Sequence, residues 1–352
     1  MTTPSGGDLG RTHAPLLFQS ARYSLHFFLF LLTFFTTTIS GVQWLLRDPF
    51  ELNNFPLGLP YSIAILFILG SHEFGHYFAA RYHRVETTLP YFIPFPPIPI
   101  LFQLFINFGT FGAVIRTRSQ VPDKKAMFDI GVAGPIAGFI ACIIVLSYGF
   151  LTLPGPEYIR SIHPDFDFQL NAVPNSTGLP LEFGPNLLYL FLQKLLTNPA
   201  TQWVPPMGEM YHYPFLCVGW FGLFVTAMNL IPIGQFDGGH VVYCMFGDLH
   251  RTIARWAFYA LILLALPSVS DIVLRSMLGF VRHHEVGQIV PFAQYSWSAW
   301  LLWAVIAYSV VRLYHPPVPD ETPLDDTRMK VGWLTVGIFV LCFTAVPFSI
   351  SF

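Results

Sequence analysis

Residues 69–80 read LGSHEFGHYFAA, placing His72, Glu73 and His76 inside a segment, 58–80, that is apolar enough to cross a bilayer. Ionisable groups at such depth are costly unless they are paired or put to use. On an α-helix His72 and His76 stand one turn apart on one face, so both imidazoles can reach a single metal ion. Glu73 is rotated by about 100° from His72 and addresses a water on that metal instead of the metal itself. This is the HExxH spacing of zinc hydrolases. With 12 histidines in the chain, chance would produce it somewhere about one time in a hundred.

Composition agrees with a membrane setting: 53% of the 352 residues are hydrophobic, 11% are charged, and the mean hydropathy is +0.54. An ordinary soluble domain carries about 25% charged residues. A net charge of -2 and the lack of any basic, aromatic-interleaved face exclude nucleic acid as a partner, which leaves the lipid bilayer. Cys142, Cys217, Cys244 and Cys342 are widely spaced without a CxxC pair and read as small buried hydrophobes.

Seven runs approach the roughly 20 residues needed to span hydrocarbon: 23–46, 58–80, 128–153, 215–233, 254–274, 297–313 and 331–351. The polar lead, 1–22, has no small-residue cleavage site, so the first run is expected to stay as a membrane helix. Residues 89–119 are apolar but broken by Pro90, Pro94, Pro96, Pro97 and Pro99, and are expected to form a re-entrant hairpin covered by protein. Its last part, GTFGAVIRTRS, has the content of a short strand, with Gly109 and Gly112 allowing a bend or close approach. The expected fold is an all-α polytopic membrane protein of about seven transmembrane helices plus this hairpin and its β segment. It is expected to be a single membrane-embedded domain over 1–352, with its core at about 57–250 and further helices over 251–352.

Thirteen of the 18 basic residues fall on the side of the N-terminus when these runs are threaded through a bilayer, which predicts a cytoplasmic N-terminus. The Pro-rich connection 154–213 then lies outside, and its stretch NLLYLFLQKLL, 186–196, is too short to span and reads as an interfacial helix.

Two histidines do not complete a catalytic zinc site, which commonly has three protein ligands and an open position. The best third donor lies in MNLIPIGQFDGGH, 228–240, where Asp237 is expected on a Gly-flanked turn at the depth of His76. Gly238 and Gly239 would let the backbone turn closely there. His240, His283, His284 and His315 are possible but unneeded ligands, expected to be solvated. Gly134 and Gly138, in FDIGVAGPIAG, have the spacing of a close helix contact.

The HExxH helix, the later Asn229–Pro232 and Asp237–Gly239 elements, FGAVIRTRS, FDIGVAGPIAG and the HPP at 315–317 together resemble the site-2 protease family of intramembrane zinc metalloproteases. The likeness is to a bacterial and plastid-like branch without PDZ or CBS domains. It implies one Zn2+ per chain held by His72, His76 and Asp237, with Glu73 as general base. Asn229 matches a family asparagine that holds substrate or stabilises the oxyanion; a polar contact between helices is the other reading. The implied partner is a transmembrane protein substrate cut near the cytoplasmic face, as in regulated intramembrane proteolysis, in a bacterial inner membrane. Gly109, Phe111, Gly112 and Val114 are candidates for a strand to which an unwound substrate adds. The rivals are a transporter or metal-binding channel, expected to show paired broken helices in two related halves, and an inactive scaffold.

Overall fold

The computed structural model describes residues 16–95, 107–173, 181–282 and 287–350. Among them four helical stretches are long and apolar enough to cross a membrane: Tyr23–Trp44, Leu52–Tyr82, Lys124–Leu151 and Asp237–Phe280. Three of the seven expected spans come out shorter. The helix expected over 215–233 is Pro214–Asn229, because Pro232 disfavours helical geometry in the residue before it. The run 297–313 is an α-helix, Ala299–Ile306, finished by a π turn, Ala307–Val311. The last run is a helix only to Cys342; beyond Pro347 the chain leaves as a strand, Phe348–Ile350.

The principal helices are α1 (Leu16–Trp44), α2 (Leu59–Tyr82), α3 (Lys124–Leu151), α4 (Glu157–Ile162), α5 (Leu187–Leu196), α6 (Pro214–Asn229), α7 (Asp237–Phe246), α8 (His250–Arg282), α9 (Ala299–Ile306) and α10 (Asp326–Cys342). Sequence signals set several of their ends. Pro60 sits in the first turn of α2 and Pro214 opens α6, where a missing N–H costs nothing. The Asp123 carboxylate caps α3 by accepting from Ala126 N at 2.7 Å.

The core forms where α2, α3 and α6 meet, around Tyr61, Ile65, Leu146, Leu216, Trp220 and Leu223, each no more than 1% exposed. Lipid is as apolar as these side chains, so close packing, more than escape from water, holds such helices together. Small residues make it possible. A Cβ on Gly219 would run into Leu146, and one on Gly222 would strike Cys142 and come within 3.0 Å of Ile68. All four cysteines are buried free thiols. On α8, Trp256, Tyr259, Leu263 and Leu266 are exposed, as befits a lipid-facing helix.

The expected strand is β2 (Thr110–Val114), and it pairs antiparallel with β1 (Tyr91–Pro94). The register sets Tyr91 against Val114, Phe92 against Ala113 and Ile93 against Gly112, then slips at a bulge before Pro94. The connection between them, with Pro96, Pro97 and Pro99, lies outside the described residues, as do 1–15, His283 and His284. The pair rests on α1: His26 Nδ1 is 3.1 Å from the Pro90 carbonyl and Thr36 Oγ1 donates to the Gly109 carbonyl at 2.6 Å.

In the 154–213 connection, α5 buries Leu188, Tyr189 and Leu192 and exposes Leu187, Leu190, Phe191 and Leu195. Strand β3 (Leu181–Phe183) pairs with β4 (Phe348–Ile350) and ties this connection to the last strand. At the other end of the bundle Arg328 grips Asp129 through two bonds of 2.9 and 2.6 Å, and His83 reaches the same carboxylate at 2.8 Å. That network fastens the end of α2 to the first turns of α3 and α10.

Candidate metal centre

The helix of α2 carries His72, Glu73 and His76 inward, each 7–8% exposed. The two Nε2 atoms are 3.1 Å apart. Asp237 Oδ2 lies 3.3 Å from each of them. Three donor atoms thus face one point. His76 Nδ1 donates to the Ile130 carbonyl at 2.7 Å, which fixes the tautomer and leaves the Nε2 lone pair toward the trio. Two neutral imidazoles and a carboxylate suit a borderline cation such as zinc and would leave a fourth position for water or substrate.

Asp237 is not on a turn, as expected, but is the first residue of α7. An acidic side chain there is favoured by the helix dipole. The turn precedes it: Gly234, at φ +53°, abuts the Arg312 carbonyl and bonds to Leu313 O at 3.2 Å. Gly238 and Gly239 let the first turn of α7 lie against the backbone of Leu230, Ile233 and Gly234. These contacts aim the carboxylate at α2.

Asn229, the last residue of α6, puts Nδ2 3.4 Å from His72 Nε2. A cavity of about 200 Å3 adjoins it, lined by His72, Glu73, Asn229 and, across from them, the β2 residues Phe111 to Val114. Phe111 and Val114 are exposed, and Gly112 at φ +102° has open space where a side chain would be. Gly109 is not part of this wall. It is pressed onto Thr36, Thr37 and Ser40 of α1.

Three features of the site go beyond what the sequence motifs indicated. The small residues of α3 face the histidines and not simply another helix. A Cβ on Gly134 would overlap the His76 ring, one on Gly138 would sit 3.2 Å from His72 Nδ1, and one on Gly131 would sit 3.1 Å from His240 Cβ. A face bearing two imidazoles needs an opposing helix stripped of side chains, and that was the available signal. The Ile130 carbonyl, a backbone group, left no trace in residue types. Finally His315 is buried and His240 is half-buried against it: His240 Nδ1 is 2.7 Å from His315 Nε2, and the His315 ring stacks on Tyr243 with centroids 4.3 Å apart. Burial beside His240 lowers His315 to a pKa of about 3, so it stays neutral.

Gly134→Ala is expected to cost about 1–3 kcal/mol through overpacking. A thermal unfolding midpoint well below wild type would show it, with Gly337→Ala, a helical glycine in open space, as the control that should not fall.

The fold and site describe a polytopic membrane protein with a buried two-histidine, one-carboxylate centre fit for a metal ion. Residues 60–266 match Peptidase family M50, and the chain belongs to that family. It is 35% identical over 191 residues to a protein of Oryza sativa subsp. japonica named probable zinc metalloprotease EGY1, chloroplastic, covering 54% of this chain and 28% of that protein. The Arabidopsis thaliana protein of the same name is 33% identical over 189 residues, 54% of this chain and 30% of its own length. A protein of Oryza sativa subsp. indica named probable zinc metalloprotease EGY2, chloroplastic, is 26% identical over 293 residues, 80% of this chain and 46% of its own. The chain therefore spans less than half the length of these relatives. All three carry chloroplastic names, so the expected bacterial inner membrane has no counterpart among them. No solved structure matches.

Proposed function

We propose that the chain is a zinc-dependent intramembrane endopeptidase that cuts transmembrane proteins near the cytoplasmic face, as in regulated intramembrane proteolysis. The observation that carries this reading is the convergence of His72 Nε2, His76 Nε2 and Asp237 Oδ2, 3.1–3.3 Å apart, within the apolar helices of a member of a peptidase family. The catalytic unit is about 57–250, within a single membrane-embedded domain. The clustering of His83, Asp129, Arg328 and Lys124 at one end of the bundle supports that end, and with it the N-terminus, as the cytoplasmic one.

His72, His76 and Asp237 hold one Zn2+, a choice supported by the relatives' printed names. Once bound, the ion supplies a Lewis acid that acidifies water and polarises the scissile carbonyl. Glu73, on the wall of the same cavity, accepts a proton from the attacking water and returns it to the leaving amine. The Asn229 amide donates toward the carbonyl oxygen as it gains charge.

A helical substrate hides its carbonyls in its own hydrogen bonds, so it must unwind to be cut, and the exposed part of β2 offers a backbone edge to which it can add. Phe111 has no partner on β1 in the register, so Phe111→Pro removes a donor from that edge while sparing the β1–β2 ladder. Cleavage is expected to fall about tenfold, the loss of one or two hydrogen bonds in the bound complex, with metal content unchanged. Equal turnover would sink the strand-addition idea.

The direct test uses purified protein in proteoliposomes with a synthetic transmembrane peptide. Cleavage that chelation stops and added Zn2+ restores supports the proposal. Metal flux without cleavage indicates a transporter or channel, and peptide binding without cleavage indicates a scaffold.

A further inference from the structure

At the opposite end of the bundle, where α1 finishes at Trp44, lies a second trio: His163, Glu209 and His212. His163 follows α4 directly, and Glu209 and His212 stand in the turn that leads into α6. The His163 and His212 Nε2 atoms are 3.0 Å apart, and Glu209 Oε2 is 3.4 Å from the first and 3.5 Å from the second. Ligands at 2.0–2.1 Å from a tetrahedral ion are separated by about 3.3–3.4 Å. Each spacing in this trio is within 0.2 Å of its counterpart at the His72–His76–Asp237 centre.

Hydrogen bonding among the three groups does not account for the arrangement. His212 is wholly buried, and its Nδ1 bonds to the Trp44 carbonyl. A carbonyl only accepts, so Nδ1 carries the proton and Nε2 presents a lone pair. Glu209 is 8% exposed, and its Oε2 has no hydrogen-bond partner. With Glu209 ionised, two acceptors face a single imidazole N–H of His163, which can serve only one of them. Leaving a buried carboxylate oxygen unpartnered is costly, whereas a divalent cation takes a lone pair from all three. The Trp44 carbonyl behind His212 is the kind of supporting bond that orients a metal-ligating imidazole, and Tyr158 steadies the same residue by donating to the His212 carbonyl at 2.7 Å.

We infer that His163, Glu209 and His212 bind a second divalent transition-metal ion of the zinc class. The ion joins the end of α4 to the turn before α6, both within the 154–213 connection, and the His212 bond to the Trp44 carbonyl ties that turn to the end of α1. Its donors are distinct from the centre on α2 and α7, and the inference stands whatever reaction that centre performs.

The test is stoichiometric Co2+ binding to the detergent-purified, chelator-stripped full chain, followed by the visible bands of tetrahedral Co2+ and by elemental analysis. Wild type is expected to bind two equivalents. His163→Gln and Asp237→Ala should each bind one, and the double variant none. Glu209→Gln, which keeps side-chain volume, replaces His163→Gln should that variant not run as a single species on gel filtration. One equivalent in wild type that Asp237→Ala removes, or two that both outer variants leave intact, overturns the inference.

Discussion

Glu73→Gln is expected to lower the cleavage rate by about 10²–10⁴-fold, the usual contribution of a positioned general acid–base, while the protein keeps its metal. Glutamine fills the same volume but cannot take a proton from water. Because Glu73 is not one of the three converging donors, the metal trio is left whole. Because the residue is buried and the replacement is neutral, no uncompensated charge is created and the fold should survive. Comparison of zinc content and turnover in the same preparation separates the roles: loss of both would make Glu73 a structural or ligating group. Cells expressing this variant should accumulate an uncut membrane protein that wild-type cells process.

Asp237→Ala should have the opposite signature, with both metal at the inner site and activity lost. One of three donors disappears, and the remaining two imidazoles share a site that has no anionic partner. Weakening even an outer-shell partner commonly costs 10–100-fold in metal affinity, so removing a direct ligand should exceed that and bring cleavage to background. The helix itself should tolerate the change, since the favourable interaction of Asp237 with the start of α7 is worth about 0.3–1 kcal/mol. Retained metal with lost activity would assign Asp237 to substrate handling instead.

The legible parts of this site were those with a local period or a depth. His72 and His76 declared themselves through helical spacing, and Asp237 through its position near the end of a later apolar run. The strand at 110–114 showed in its β-branched and aromatic residues, but its partner at 91–94 was hidden among prolines. Span counting overran where the chain leaves the helix, after Asn229 ahead of Pro232 and after Cys342, because hydropathy does not register a broken backbone. Long-range packing was the least readable: nothing near Gly134 in sequence says that it faces His76, and nothing near His240 says that it meets His315. The outer trio is scattered through a Pro-rich connection, where His163 and His212 are brought together only by the tertiary fold.

The account rests on three side chains sharing one ion, and anomalous X-ray scattering at the zinc edge tests that most directly. Crystals of the wild-type protein should give an anomalous peak about 2.0–2.2 Å from His72 Nε2, His76 Nε2 and an Asp237 carboxylate oxygen. No peak between these residues in zinc-replete, cleavage-competent protein would contradict it.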